Sequence, residues 1–477
     1  MRQPQKVSAL LKTDIELEKV VWKSYPLTMI PLRVSFHTLG CRLNQAETAT
    51  ISSTFAAKGY RIVAASEETD VHVINTCSVT EGAEAKCRHA VRAVLRRSPH
   101  AYVVVTGCYA QVGVEALQRI DGLDLIVGTE DKMRLAELID VPEKQGQPQV
   151  VHTRKISRDD FTIDVVGDYR GQTRANLKIQ DGCNFACAFC IIPFTRGGAR
   201  SRKLDDIVRE AYGLVAQGHQ EIVLTGVNIG TYTCDGHDLL HVVQALEAVE
   251  GLERIRISSI EPTTISDALL DWMATSRKLC PYLHIPVQSG DDWVLARMKR
   301  HYTGREFATF VEHVVERIPD ICLGTDVMVG FPGEDEQAFT HTRTLLADLP
   351  LAYFHVFSYS ERPHTYAQRY TDQVPPPVVR ERSRILRELS THKKAAFYRR
   401  FTGRTLRILF ERREDHGLYT GFSDNYIKVG AATDDEVANQ LLPVHLYGAE
   451  NGLALGTLVG HSSLCDRGAR GDFLPNS

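Results

Sequence analysis

The chain has 477 residues, a formal net charge of −3, and 43% apolar and 24% charged residues. These ordinary values exclude a collagen-like or broadly disordered chain, and no apolar run approaches the roughly 18–20 residues of a membrane helix. At about 150 residues per domain the length predicts roughly three domains, and without a basic excess any nucleic-acid partner must be met by local patches.

Residues 1–30 mix Lys, Glu and Asp with scattered Leu and Val, and read as an extension able to form a short amphipathic helix. They lack the continuous apolar core of a signal peptide, so a cytoplasmic protein with no membrane partner is expected; Met29 is an alternative start. From 31 to 142, β-rich runs at Arg33–Thr38, Val71–Asn75, Tyr102–Thr106 and Leu123–Val127 alternate with helical stretches at Asn44–Lys58, Gly82–Arg97 and Gly113–Ile120. That alternation predicts an α/β domain with a parallel sheet. Pro142–Gln149 is polar with Pro and Gly, and opens a linker spanning 143–171.

From 172 onward, strand-like runs recur at Asn176–Gln180, Glu221–Thr225, Arg254–Ser258, Tyr282–Val287, Leu323–Val329 and Tyr353–Ser358. Six β-then-α units predict a partial (β/α)6 barrel, with its chemistry at the C-terminal ends of the strands. Pro375–Pro377 breaks the chain before a basic helix, Val378–Arg400, which closes a 172–400 unit. Short strands and turn signals at Glu414–Gly417, Ser423–Asn425 and Ala449–Gly452 predict a small β-barrel over 401–465, ahead of a loose tail, 466–477.

Eleven cysteines without an export signal point to metal ligands, catalytic thiols or buried core residues rather than disulfides. Cys183, Cys187 and Cys190 have the spacing C-x3-C-x2-C on one loop, just past the first predicted barrel strand. Three thiolates can hold three irons of a 4Fe-4S cubane and leave the fourth open. A structural zinc would call for four protein ligands. Cys41, Cys77 and Cys108 each follow a β-run and lie 36 and 31 residues apart. One βαβ unit takes about 30 residues, so parallel strands would bring these thiols to one sheet edge, where open α/β sheets bind ligands. They suit a second open-iron cluster, or else three small core residues. Cys87, Cys234, Cys280, Cys322 and Cys465 read as structural.

The contiguous spacing resembles the radical S-adenosylmethionine superfamily. Together with Thr38–Thr48, Asn75–Thr80, Thr106–Gln111, Lys178–Cys183, Leu224–Gly230, Ile257–Pro262, Pro286–Gly290 and Gly330–Glu334, it resembles the methylthiotransferase family over about 33–465. The neighbourhood Gly40-Cys-Arg-Leu-Asn-Gln-Ala-Glu-Thr48 is most similar to the threonylcarbamoyladenosine tRNA branch. The other branches act on isopentenyladenosine in tRNA or on an aspartate of a ribosomal protein. Phe194 and Cys87 depart from the family's pattern, and neither is expected to touch a ligand.

The resemblance implies a tRNA-modifying enzyme that methylthiolates carbon 2 of N6-threonylcarbamoyladenosine at position 37. It implies an N-terminal cluster domain, a radical S-adenosylmethionine barrel and an RNA-binding TRAM barrel. It further implies two 4Fe-4S clusters, S-adenosylmethionine, a tRNA anticodon stem-loop as partner, and an electron donor such as a flavodoxin or ferredoxin. Cys183, Cys187 and Cys190 would hold the cluster that cleaves the cofactor, and Cys41, Cys77 and Cys108 the one that carries sulfur. No side-chain base can remove the aromatic hydrogen, so cofactors must carry the hard step.

Asn228, Glu261 and Gln288, at three strand ends, are candidates to clamp the cofactor, or else turn residues. The loop Gly330–Glu334 could pack near its adenine, and Asp181 could support the first cluster or simply shape a turn. For RNA, Arg380, Arg382, Arg384, Arg387, Lys393, Lys394, Arg399, Arg400 and Arg404 form a basic face suited to phosphates, with a second basic stretch at Lys86–Arg97. Between 402 and 465 acids outnumber Lys plus Arg by eight to five. RNA contact there must use a local patch, or the aromatics Tyr419, Phe422 and Tyr426 if these are not core.

Overall fold

The computed structural model describes residues 31–460 apart from 145, 415 and 416. The 1–30 extension with Met29, Cys465, the 466–477 tail and the centre of the Glu414–Gly417 turn lie outside the described residues.

Six parallel strands form the first sheet, in the order Arg61–Ile62, Arg33–Thr38, Val71–Thr76, Tyr102–Gly107, Leu125–Val127, Gln149–Val151. Val73 and Val104 face Ile51 and Phe55 on one side; Ile74, Val103 and Val105 face Val91, Val94 and Leu117 on the other. Burial on both faces explains the near-continuous apolar runs of the central strands. The two edge strands escape a sequence reading because they are short and partly polar, and Gln149–Val151 carries the sheet into the segment expected to be linker. The helix expected at Gly113–Ile120 is instead two short ones, Cys108–Val112 and Val114–Gln118.

Six further parallel strands follow in chain order: Arg174–Lys178, Glu221–Thr225, Arg254–Ile257, Tyr282–His284, Cys322–Val329 and Tyr353–Ser358. They form two three-stranded sheets joined by a bridge between Ser259 and His284, with no pairing between first and last among the described residues. This is the partial barrel. Its outer wall buries Ile222, Leu224, Ile255, Ile257, Leu283 and Leu323 beneath the covering helices. Arg254 and Arg256, alternating with Ile255 and Ile257, turn to the other face beside the buried Glu221, 2.7 Å from Arg256.

Helix Pro376–Arg399 begins within the proline run, because proline suits a helix's first turn. Strands Thr405–Arg413, Leu418–Ser423, Lys428–Ala432, Leu453–Leu458 and Leu441–Glu450 then close a five-stranded barrel. It seats against the larger barrel's floor: Arg254 donates to the Phe422 and Arg407 carbonyls at 2.8 and 2.5 Å, and Arg256 to the Asp424 carbonyl at 2.8 Å. No helix among the described residues is long and apolar enough to cross a membrane.

Candidate functional site

Register builds the first cysteine group. Thr38 pairs with Asn75 and Thr76 with Gly107, so Cys41, Cys77 and Cys108 all leave the sheet at the same edge. Asn44 Nδ2 donates to the Leu39 and Thr76 carbonyls at 2.7 and 3.0 Å, tying the turn that carries Cys41 to the end of the Cys77 strand. Gly40 packs against Cys77 so closely that a Cβ there would lie 3.1 Å from its sulfur. Gly107 has φ +94°, and a Cβ on it would overlap the Asn75 side chain and the Thr76 backbone. Cys41 caps helix Arg42–Ala57, and desolvation holds its thiol pKa above the ordinary value while Arg196 opposes the rise. Burial pushes the Cys77 thiol up to about 12, and the neighbouring Cys108 and Cys41 add to the rise. A metal binding here must therefore displace protons. Cys87 corrects one expectation. Its sulfur accepts the Cys77 N–H and its thiol donates to the Cys77 carbonyl, both at 3.4 Å, so this departure does touch a candidate ligand's backbone.

The second group sits on the loop after the short strand Gln180–Asp181. Gly182, at φ +68°, lies so close to the Gly198 carbonyl that a side chain would overlap it. The Cys190 N–H donates to the Cys187 carbonyl at 3.1 Å and the Phe185 N–H to the Cys183 sulfur at 3.4 Å, curling the loop around its three thiols. Burial pushes Cys190 up to about 12. Arg300, which the sequence reading missed, places Nη1 3.4 Å from the Cys187 sulfur and 3.0 Å from Glu261 Oε1. Burial raises the Cys187 pKa and this guanidinium opposes the rise.

A buried ionic network links the two groups. Arg196, six residues beyond Cys190, donates to Asn44 Oδ1 at 2.6 Å, to both Glu47 oxygens at 2.9 and 3.0 Å, and to Asp181 at 3.0 Å. Lys132 and Lys178 reach Glu47 at 2.5 and 2.8 Å, and Lys178 also reaches Asp181 at 2.7 Å. Burial alone would raise the Glu47 pKa. The surrounding Arg196, Lys132 and Lys178 outweigh it and hold the carboxyl far below the usual range. Asp181 also accepts the Gly182 N–H at 2.9 Å, so it shapes the turn and joins the network at once.

The proposed cofactor clamps fare differently from one another. Asn228 is buried, and among the described residues neither polar atom of its side chain has a partner. That orphaned amide fits a polar ligand. Glu261 is not free, since Arg300 holds both its oxygens. Gln288 is half-buried with φ +67°, an unusual backbone for a residue other than glycine. Glu334 is tied to the Gly330 N–H at 3.0 Å and to Arg382 at 2.7 Å, so the Gly330–Glu334 loop is pinned to helix Pro376–Arg399.

A cavity of about 580 Å³ opens beside Cys41 and runs along the barrel interior past Ser258, His284, Asp326 and His355 to Phe422 and Tyr426. The Phe422 and Tyr426 rings stack at 4.8 Å, and Arg42 Nη2 donates to the Tyr426 hydroxyl at 2.9 Å. Tyr419 is core. The basic helix corrects a second expectation. Arg382 is buried against Glu334, Arg384 pairs with Glu381 and Glu388, Arg404 pairs with Asp320, and Arg400 and Lys393 donate to backbone carbonyls. Charge alone overstated the phosphate-binding face.

Residues 33–128 match a model described as an uncharacterized protein family, UPF0004, and residues 177–346 match that of the Radical SAM superfamily. The threonylcarbamoyladenosine tRNA methylthiotransferase MtaB of Bacillus subtilis is 38% identical, covering 87% of this chain and 94% of its own. A tRNA-2-methylthio-N(6)-dimethylallyladenosine synthase of Cereibacter sphaeroides is 35% identical over 79% of this chain and 86% of its own. Among solved structures, the radical S-adenosylmethionine methyltransferase TsrM from Kitasatospora setae shares the fold at 14% identity, with a TM-score of 0.52 over 71% of this chain and 77% of its own.

Proposed function

Because this chain belongs to the radical S-adenosylmethionine methylthiotransferase family and is a tRNA-modifying enzyme, we propose that it methylthiolates carbon 2 of N6-threonylcarbamoyladenosine at position 37 of tRNA. Cys183, Cys187 and Cys190 would hold one 4Fe-4S cluster, and Cys41, Cys77 and Cys108 the other. The donor sets fit: each supplies three thiols and leaves one iron open. When bound, the clusters and S-adenosylmethionine supply the radical, sulfur and methyl chemistry that side chains lack.

The chain's own residues position these parts. Arg300 lies against Cys187, and its ion pair to Glu261 fixes it there. Asn228 offers an unpartnered amide to the cofactor. The Arg196–Glu47–Asp181 network fixes one cysteine loop relative to the other. Phe422, Tyr426 and Arg42 flank the cavity beside Cys41, where an aromatic base could stack. A small iron–sulfur or flavin protein is the expected electron donor.

The observation that carries this reading is the shared edge of Cys41, Cys77 and Cys108, opening on a cavity that the C-terminal barrel completes. Mass spectrometry of tRNA nucleosides from a deletion strain tests it. Loss of 2-methylthio-N6-threonylcarbamoyladenosine is expected; loss of the isopentenyl counterpart instead would assign the other tRNA branch, and unchanged tRNA would overturn the reading. Anaerobic reconstitution should also give about eight irons per chain, falling to about four in Cys77→Ser. About four irons in the unaltered protein would remove one cluster.

A further inference from the structure

The cavity beside Cys41 carries an unusual set of polar walls. Four cationic side chains line it, Arg42, Arg256, Lys394 and Lys428. Arg256 is committed to Glu221 and to backbone carbonyls, and Lys428 lies 3.7 Å from Glu414. Arg42 holds the Tyr426 hydroxyl. Lys394 is different. Its ammonium lies 5.4 Å from the centre of the Tyr398 ring, and among the described residues no carboxylate is within ion-pair distance of it.

On the same wall stands a chain of close polar groups. Asp326 Oδ1 lies 2.9 Å from His284 Nε2, His284 Nδ1 lies 3.3 Å from the Tyr353 hydroxyl, and that hydroxyl lies 2.8 Å from the hydroxyl of Tyr282. His355 packs its ring 5.4 Å from that of His284 and has no hydrogen-bond partner among the described residues. The donor atoms of His284, Asp326 and His355 lie within 4.8 Å of one another, a spacing a divalent cation could use. Lys394 argues against one, since its charge acts on His355 and would repel a cation there.

An uncommitted ammonium and a free imidazole call for an anion with hydrogen-bonding capacity. We propose that Lys394 and His355 form the subsite for the anionic N6 side chain of the substrate base. Lys394 pairs with its carboxylate, His355 donates to the same group, and Asp326 accepts its hydroxyl. This rests on the threonylcarbamoyladenosine reading above. The Asp326 charge would repel a carboxylate, so it takes the hydroxyl alone and leaves the carboxylate to Lys394. A cavity of about 580 Å³ has room for a modified base. An apolar isopentenyl group in its place would leave Lys394 desolvated and unpaired, and a site built for polar partners rejects an analogue that lacks them.

The test uses the reconstituted full-length enzyme and three anticodon stem-loop RNAs. They carry threonylcarbamoyladenosine, isopentenyladenosine or plain adenosine at the target position, and equilibrium binding is read by fluorescence anisotropy. The unaltered protein should prefer the threonylcarbamoyl RNA over plain adenosine by roughly 10- to 100-fold, the range of a charge-assisted contact. In Lys394→Met that ratio should fall toward one, Lys394→Arg should restore most of it, and His355→Phe should lose part. An equal drop for all three RNAs would make Lys394 a phosphate contact and overturn the inference, as would an unchanged ratio in Lys394→Met. Unaltered protein that prefers the isopentenyl RNA would instead overturn the substrate reading beneath it.

Discussion

Cys187→Ala is expected to abolish reductive cleavage of S-adenosylmethionine, by at least about a thousandfold, because the three loop thiols act as a unit. On the proposed assignment iron content should fall from about eight to about four per chain, since the N-terminal thiols would keep a cluster of their own. The effect should be chemical rather than structural. Alanine removes only a sulfur, and Arg300 loses one contact but keeps Glu261, the Tyr302 hydroxyl at 2.7 Å and the Pro286 carbonyl at 3.1 Å. The melting midpoint of the apoprotein should therefore move little. Chromatographic assay of 5′-deoxyadenosine with a chemical reductant checks this, and cleavage surviving in the variant would remove Cys187 from the ligand set.

Glu47→Ala should be the most destabilising single change outside the apolar core. Glu47 is fully buried, and Lys132, Lys178 and Arg196 all lean on it. Without it Lys132 has no ion pair among the described residues and Lys178 and Arg196 keep only Asp181 as a carboxylate partner, and breaking a buried ion pair from one side costs about 3–5 kcal/mol. For a compact unit of several hundred residues that corresponds to a fall in melting midpoint of roughly 3–5 °C, readable by calorimetry or dye fluorescence. Glu47→Ala with Lys132→Met should recover part of the loss, because one unpaired charge is removed with its partner. The sign with pH follows from the depressed carboxyl: its contribution is complete above the unfolded pKa of about 4.3 and is lost only in stronger acid. A shift of a degree or two would mean the network contributes little.

Much of this architecture could be read from periodicity. The intervals between Cys41, Cys77 and Cys108 match whole βαβ units, so the shared edge follows once the strands are parallel. The six barrel strands were visible because short β-rich runs, apolar or alternating, recur between stretches long enough for a helix. What could not be read depends on which distant side chains meet. Arg196 sits in a short stretch with no motif of its own, and its partners Asn44 and Glu47 lie about 150 residues earlier. Arg300 gives no local signal for its place beside Cys187. The basic helix misled for the same reason. Arg382 and Arg384 look free in sequence, yet Glu334, Glu381 and Glu388 claim them once the chain folds. Conversely, the stacked Phe422 and Tyr426 turned out to line the cavity although the C-terminal barrel carries more acid than base.

The seating of the small barrel on the larger one bears on how such enzymes can be taken apart. Arg254 and Arg256 are buried guanidiniums whose acceptors include main-chain oxygens of Arg407, Phe422, Ser423 and Asp424. Truncation before residue 401 would open the cavity beside Cys41 and strand two cations with most of their acceptors gone. Any chimera that exchanges the terminal module must therefore bring along a matching set of carbonyls, or replace both arginines in the same step.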